Sequence, residues 1–356
     1  MPQLFFVEPS KTGFQHITFL AGFLQALSSS AVAQRFELNL LASASTLSHL
    51  PAAVLSSFVR REIPVVDPMA RKLIRKSFRE FLEVYRVVRV AGPNDRVIVS
   101  CMLPTALILL EIACLLMRQR RAVYIVLHGE LEGLSDSGWD FRRIGTWSKF
   151  WATLFGRRSR LNYIVLEEFI RDGLIYRGFA SDHVHVVHHI VPAVRLDTGR
   201  KPTLTCCVIG FQTRQKGWEA VQRLIAELPN VDFVSIGGGK VTDLRTGVVG
   251  SIVGDDGYIA EISRNHFALC MFERGYQLTL SASTLDAVAA NIRIIGLECP
   301  FLRAVKNRFD DVILFESVEK VIDALKTHSI SPDVSYSLEG TPYAIDHIRR
   351  EVEAIL

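Results

Sequence analysis

Six cysteines occur in 356 residues, and none is spaced as CxxC. Cys101, Cys114, Cys206, Cys207, Cys270 and Cys299 sit mostly in apolar surroundings. Zinc-ribbon and thioredoxin-like chemistry are thereby disfavoured, and reduced core thiols in a cytoplasmic protein are expected in place of disulfides. Long apolar runs are also missing. The longest, Met102 to Met117, contains Pro104 and Glu111 and falls short of the roughly 20 residues a bilayer requires. The opening MPQLFFVEPSKTGF has no basic segment ahead of its apolar run, unlike a secretory leader. No GxGxxG follows a strand signal and no Gly-rich loop ends in GK[ST], so neither a dinucleotide fingerprint nor a Walker loop is expected. Fixed-period repeats and low-complexity tracts are absent.

What remains is a composition of soluble globular type, 49% hydrophobic and 22% charged. The length exceeds one ordinary core, which predicts two domains. Charge divides along the chain. Residues 1–196 hold 24 Lys and Arg against 16 Asp and Glu, whereas the remainder holds 17 against 21. A basic half and an acidic half imply domains with different partners.

Strand and helix signals alternate throughout. In the first half, strands are expected at Leu4–Val7, Phe36–Leu41, Pro64–Val66, Arg96–Val99, Val123–Leu127, Tyr163–Leu166 and Val184–Val187. Between them, Met69–Val88 repeats Leu73, Ile74, Phe78, Phe81, Leu82 and Tyr85 at helical spacing, which predicts a buried stripe. His128 to Arg160 reads as a long irregular region. Periodicity stops around His188–Pro202, as in a linker. A second series follows, with strands expected at Leu204–Ile209, Val231–Ile236, Val248–Val253, Phe267–Met271, Ile292–Ile295 and Val312–Phe315. The fold class predicted is α/β: two Rossmann-like domains, 1–190 and 191–340, facing a central cleft, with a last helix in 341–356 packing back towards the first. Ligands of such sheets bind outside the carboxyl ends of strands.

Two loops stand out. Gly210-Phe-Gln-Thr-Arg-Gln-Lys-Gly217 follows the first strand of the second domain. Arg214 and Lys216 there form a sensible diphosphate clamp, or else a solvated basic turn. The stretch Tyr276–Gly296 brings Ser281, Ser283 and Thr284 to the start of a helix expected at Leu285–Ala290. A hydroxyl there caps the helix, and free N–H groups suit a phosphate. Asp286 is expected in the first turn, within reach of a sugar hydroxyl.

A strand ending in Gly, a basic turn closing on Lys-Gly, and a helix together resemble the start of the donor domain of GT-B glycosyltransferases. The segment with small hydroxyls, Asp286-Ala-Val-Ala and a following strand resembles the donor-site segment of retaining members. Its usual first acid has no clear counterpart in Tyr276-Gln-Leu-Thr, with Glu273 slightly upstream, and Asn291-Ile-Arg-Ile replaces the usual Gly-x-Pro-Val. The resemblance implies that Arg214 and Lys216 neutralise a departing nucleoside diphosphate. It also implies that Ser281, Ser283 and Thr284 hold phosphate oxygens and that Asp286 binds the ribose. The donor is expected to be a nucleoside-diphosphate sugar, UDP ahead of GDP, with no separate cofactor and no metal.

Other candidates are less specific. Gly237 and Gly238, ahead of Gly239 and Lys240, let a base or sugar lie against backbone, or simply make a tight turn. His128 and Glu130, after a strand, are the general-base candidates; Gly13, Gln15 and His16, after the first strand, are a further stretch expected to face the cleft. Glu167 and Glu168 read as a solvated helix start. His188-His189 lacks a third ligand nearby, so zinc is not expected and a junction contact is. Residues 139–160 interleave Trp139, Phe141, Trp147, Phe150, Trp151 and Phe155 with basic side chains, and 69–89 adds Arg71, Lys72, Arg75, Lys76 and Arg79. Both suit an anionic membrane surface; no nucleic-acid motif is present. The expected function is transfer of a hexose from the nucleotide sugar to a saccharide or lipid-linked saccharide. The setting would be surface-polysaccharide synthesis at the inner face of the cytoplasmic membrane. A sugar-nucleotide epimerase and a non-catalytic binding partner of the same fold are the alternatives.

Overall fold

β-Branched and aromatic runs of four to six residues set the strands, and each sheet grows by crossover from one strand to the next. The computed structural model describes the chain outside residues 13–16, 67–72, 118–121, 129–130, 132, 135–138, 142, 192–193, 195–198, 211, 253 and 273–277. It divides into two compact units, Met1–Ile190 with Pro342–Leu356, and Val191–Thr341. Gly13, Gln15, His16, Arg71, Lys72, Glu130, Glu273, Tyr276 and Gln277 lie outside the described residues.

The first unit carries β1 (Gln3–Val7), β2 (Glu37–Ala42), β3 (Val59–Glu62), β4 (Arg96–Val99), β5 (Ala122–Val126), β6 (Asn162–Val165) and β7 (Val184–Val186). They form one sheet in the order β3-β2-β1-β4-β5-β6-β7, parallel throughout. The third strand is Val59–Glu62, not Pro64–Val66. All four of its residues are exposed, as suits a charged edge; a proline could not have donated to the ladder.

The second unit carries β8 (Thr205–Ile209), β9 (Asp232–Gly237), β10 (Lys240–Asp243), β11 (Val249–Ser251), β12 (Phe267–Cys270), β13 (Arg293–Leu297) and β14 (Ile313–Phe315). The order is β11-β10-β9-β8-β12-β13-β14. Its parallel part is closed at one edge by an antiparallel hairpin of β10 and β11. Val208, Phe233, Phe267 and Ile295 are buried in the core beneath the helices Trp218–Glu227 and Val318–Lys326. Both sheets are Rossmann-like, as expected.

Right-handed crossovers fix which helix lies on which face. The connections β3 to β4, β4 to β5 and β5 to β6 all advance one way. Their helices Leu73–Val90, Pro104–Leu116 and Ile144–Phe155 therefore pack side by side on one face. On the other face, Ile17–Ser28 meets the last helix, Ile345–Ile355. That helix is tied down by Ala31 N–H donating to Glu353 (2.7 Å) and by Tyr124 OH donating to the Ile355 carbonyl (2.8 Å).

Three expectations are corrected. The helix Ile144–Phe155 occupies the stretch read as irregular, and Trp151 and Phe155 are buried in it. Trp151 packs against Tyr163 and Phe179, so it belongs to the core. The helix Leu73–Val90 is turned round: Lys76, Ser77, Glu80, Glu83, Val84, Val87 and Val88 are buried, while Ile74 is 86% exposed and Phe78 54%. The reason is polar. Glu80 accepts from Ser10 Oγ (2.9 Å) and the Leu103 N–H (2.8 Å) beneath the helix, and those bonds outweigh the rival apolar stripe. Glu167, expected in solvent, is fully buried and accepts from Tyr343 OH.

Candidate functional site

In the second sheet the chain builds from β8 through β9 to the hairpin edge, then returns to place β12 on the other side of β8. That reversal leaves a crevice outside the carboxyl ends of β8 and β12, the usual ligand position in open α/β sheets. β8 ends at Ile209, and Gly210 follows with φ +84°. A Cβ on Gly210 would stand 2.9 Å from Ser283 Oγ and 3.0 Å from Lys216 Nζ. The chain then makes a short 3-10 turn, Arg214–Lys216, whose N-cap Thr213 accepts from the Lys216 N–H. Gly217 closes it with φ +71°. A Cβ there would fall 1.6 Å from the Met271 carbonyl oxygen, so the loop after β8 lies directly on the chain leaving β12.

This approach brings the two candidate loops together. Lys216 Nζ donates to Ser283 Oγ (3.1 Å) and lies 3.5 Å from the Ile209 carbonyl. A small pocket opens there, lined by Lys216, Cys270, Phe272 and Ser283 among others. Burial pushes the Cys270 thiol up to about 11, despite its contact with Thr284, so the pocket's floor is neutral. Arg214 is 80% exposed, with Nε 3.9 Å from Glu219 on the outside of the turn. Among the described residues, Lys216 of the two expected clamp cations is joined to Ser283.

The helix after β12 is Ala282–Ala289, which starts three residues earlier than expected. Ser281 occupies its N-cap without a side-chain cap bond, and Ser283 falls in the first turn. Thr284 is fully buried and its hydroxyl meets Cys270 Sγ (3.3 Å), so this side chain serves the core and not the pocket. The earlier start also moves Asp286 into the second turn. There Tyr258 OH donates to its Oδ2 (3.1 Å), and the half-buried carboxylate is held in one place. Among the described residues, the buried hydroxyls of Thr279 and Ser281 have no hydrogen-bond partner. Such groups cost roughly 1–3 kcal/mol each when unsatisfied. Asn291, where a glycine was missed in the sequence, takes φ +52° and ends the helix as glycine would.

The arrangement is electropositive by design. A helix N-terminus carries partial positive charge, and Lys216 adds a full charge beside its first turn.

Gly237 ends β9, and Gly238 lies in the turn that follows it. Gly238 and Gly239, with φ +60° and +73°, form the two-residue turn joining β9 to β10. Gly237 backs onto Gly210, its added Cβ meeting the Gly210 Cα at 3.1 Å. It thus borders the pocket from behind.

The first sheet also reverses, between β1 and β4, and there the crevice is filled by the chain itself. Glu8, just past β1, accepts from Ser100 Oγ (2.6 Å), Ser10 N–H (3.0 Å) and Lys11 N–H (3.0 Å). Burial raises its pKa against those three bonds. No sequence motif marked this network. His128 lies beyond the end of β5, half-buried, with its ring edge-on to Phe19 at 4.5 Å.

No protein-family model matches the chain, and no curated protein matches it by sequence. Solved structures do match by shape. Sucrose-phosphate synthase from Thermosynechococcus elongatus superposes with a TM-score of 0.65 at 12% identity, over 100% of this chain and 95% of the other. Anabaena HepE in complex with UDP-glucose gives 0.61 at 11% identity, over 99% of both chains. The lipopolysaccharide outer core galactosyltransferase WaaB gives 0.54 at 9% identity, over 99% and 98%. The chain has the GT-B fold.

Two glycines test the loop geometry. Gly217→Ala should cost roughly 3 kcal/mol or more, from backbone overlap with Met271 added to left-handed strain. Gly238→Ala, with open space around its Cβ, should cost only about 1–2 kcal/mol. Denaturant midpoints of the two variants would check this; equal losses would contradict the packing described.

Proposed function

We propose that the protein is a glycosyltransferase that takes its sugar from a nucleoside-diphosphate sugar, with UDP preferred to GDP. The observation that carries this reading is the Lys216–Ser283 contact, 3.1 Å, at the reversal of the second sheet. Sugar transfer leaves negative charge on a diphosphate, and a fixed ammonium with first-turn amides and hydroxyls stabilises that charge as it grows. In this reading Ser281 and Ser283 hold phosphate oxygens. Asp286, braced by Tyr258, accepts from ribose hydroxyls. Arg214 swings in from the exposed side of the turn. Gly237, behind Gly210, leaves room for donor against backbone. His128 and Glu130 are the residues to test as acceptor base. HepE, of the same fold, binds UDP-glucose, which fits the choice of donor.

The acceptor we favour is a lipid-linked saccharide in surface-polysaccharide synthesis, with a hexose transferred at the cytoplasmic membrane's inner face. No helix among the described residues is long and apolar enough to cross a membrane. Support comes from one face of the first unit. Ile74, Phe78, Leu109, Ile112, Leu116 and Ile144 are exposed on three helices packed side by side. Arg75, Arg86 and Arg89 stand exposed among them. Apolar side chains ringed by cations suit an anionic lipid surface.

Three experiments bear on this. Calorimetric titration with UDP should show binding that Lys216→Ala weakens by about 10- to 100-fold, the worth of one hydrogen bond to a charged group. Undiminished affinity would remove the assigned site. Product analysis with and without an acceptor separates transfer from epimerisation. For the surface, the double variant Ile74→Ser, Phe78→Ser should lower co-sedimentation with phosphatidylserine-containing vesicles while leaving UDP affinity unchanged. Equal vesicle binding by variant and parent would contradict the membrane face.

A further inference from the structure

A polar cluster lies in the first unit. His188, two residues past β7, is 2% exposed. Its Nδ1 faces Glu351 Oε1 at 2.6 Å, and its Nε2 faces Glu168 Oε2 at 3.1 Å. Glu351 belongs to the last helix, where His347 stands one turn earlier with Nε2 3.2 Å from the same Oε1. Buried Glu167 approaches His188 Nε2 at 3.9 Å. His188 has no third ligand nearby in sequence, but folding supplies two from a helix that begins more than 150 residues later.

We propose that His188, His347 and Glu351 bind a divalent transition-metal ion of the zinc type. The three donor atoms lie within 4.8 Å of one another. Two imidazole nitrogens and one carboxylate oxygen are a common donor set for such ions. The surroundings match as well. With Nδ1 turned to the ion, His188 keeps Nε2–H for Glu168, the carboxylate–histidine relay that orients metal-binding imidazoles. The ion takes the place of the proton that otherwise sits between His188 Nδ1 and Glu351, and that proton leaves to solvent. Its effect is to fasten the last helix to the end of β7, independently of any sugar chemistry.

The test uses the full chain, treated with EDTA and then titrated with Zn²⁺ by calorimetry, with melting followed in parallel. One ion should bind per chain and raise the melting midpoint, and EDTA should reverse the rise. Mg²⁺, which prefers an all-oxygen shell, should not replace it. His347→Ala, at a half-exposed position that the fold tolerates, should abolish stoichiometric binding. Glu168→Gln should weaken binding about tenfold or more by loosening the relay. The proposal is overturned if Zn²⁺ produces no stoichiometric binding, or if His347→Ala binds and is stabilised as the parent is. The second result would place the ion elsewhere, for instance on the buried thiols.

Discussion

Gly217 lies so near the Met271 carbonyl that no side chain could stand between them. This one approach ties the loop after β8 to the chain leaving β12, and it decides where Lys216 can reach. A left-handed backbone and the absence of a Cβ are both needed, and glycine alone supplies them at low cost. From that fixed point the ammonium extends to Ser283 in the first turn of the following helix. The strand-order reversal opens the crevice; the glycine contact gives it an electropositive wall.

The two units treat the same topological opportunity differently. In the first, the reversal between β1 and β4 is packed with Glu8, Ser100, Ser10 and Glu80, a network that satisfies its own donors. In the second, the equivalent place is lined by Lys216 and Ser283, bonded to one another beside a helix start. The difference in charge between the halves of the chain, basic first and acidic second, does not predict this. The local arrangement of a few groups overrides the net charge around them.

Much of the architecture was legible because strands and helices announce themselves locally. Runs such as Leu4–Val7 and Cys206–Ile209 carry their own period and length. Arg214, Lys216 and Ser283 could be singled out because residue type and position after a strand are also local facts. What failed depended on distant partners. The inward face of Leu73–Val90 was misread because its burial is decided by Ser10 and Leu103. Thr284 reads locally as a ligand hydroxyl, yet it meets Cys270 in the core, and the helix begins three residues before the expected Leu285. Glu167 reads as solvated because Tyr343, its partner, lies 176 residues further along, and Glu351, 163 residues beyond His188, is equally out of reach of a local pattern. Asn291 shows the opposite case: a departure from the expected glycine that keeps the required backbone conformation.

The central claim is that a nucleoside diphosphate sits across the loop after β8 and the helix start after β12. Amide hydrogen exchange with and without UDP tests it most directly, since backbone N–H groups are the expected phosphate contacts. The account predicts slowed exchange confined to peptides covering residues 209–218 and 279–287. No slowing in either segment at a UDP concentration that saturates binding, or protection centred on other loops, would contradict it.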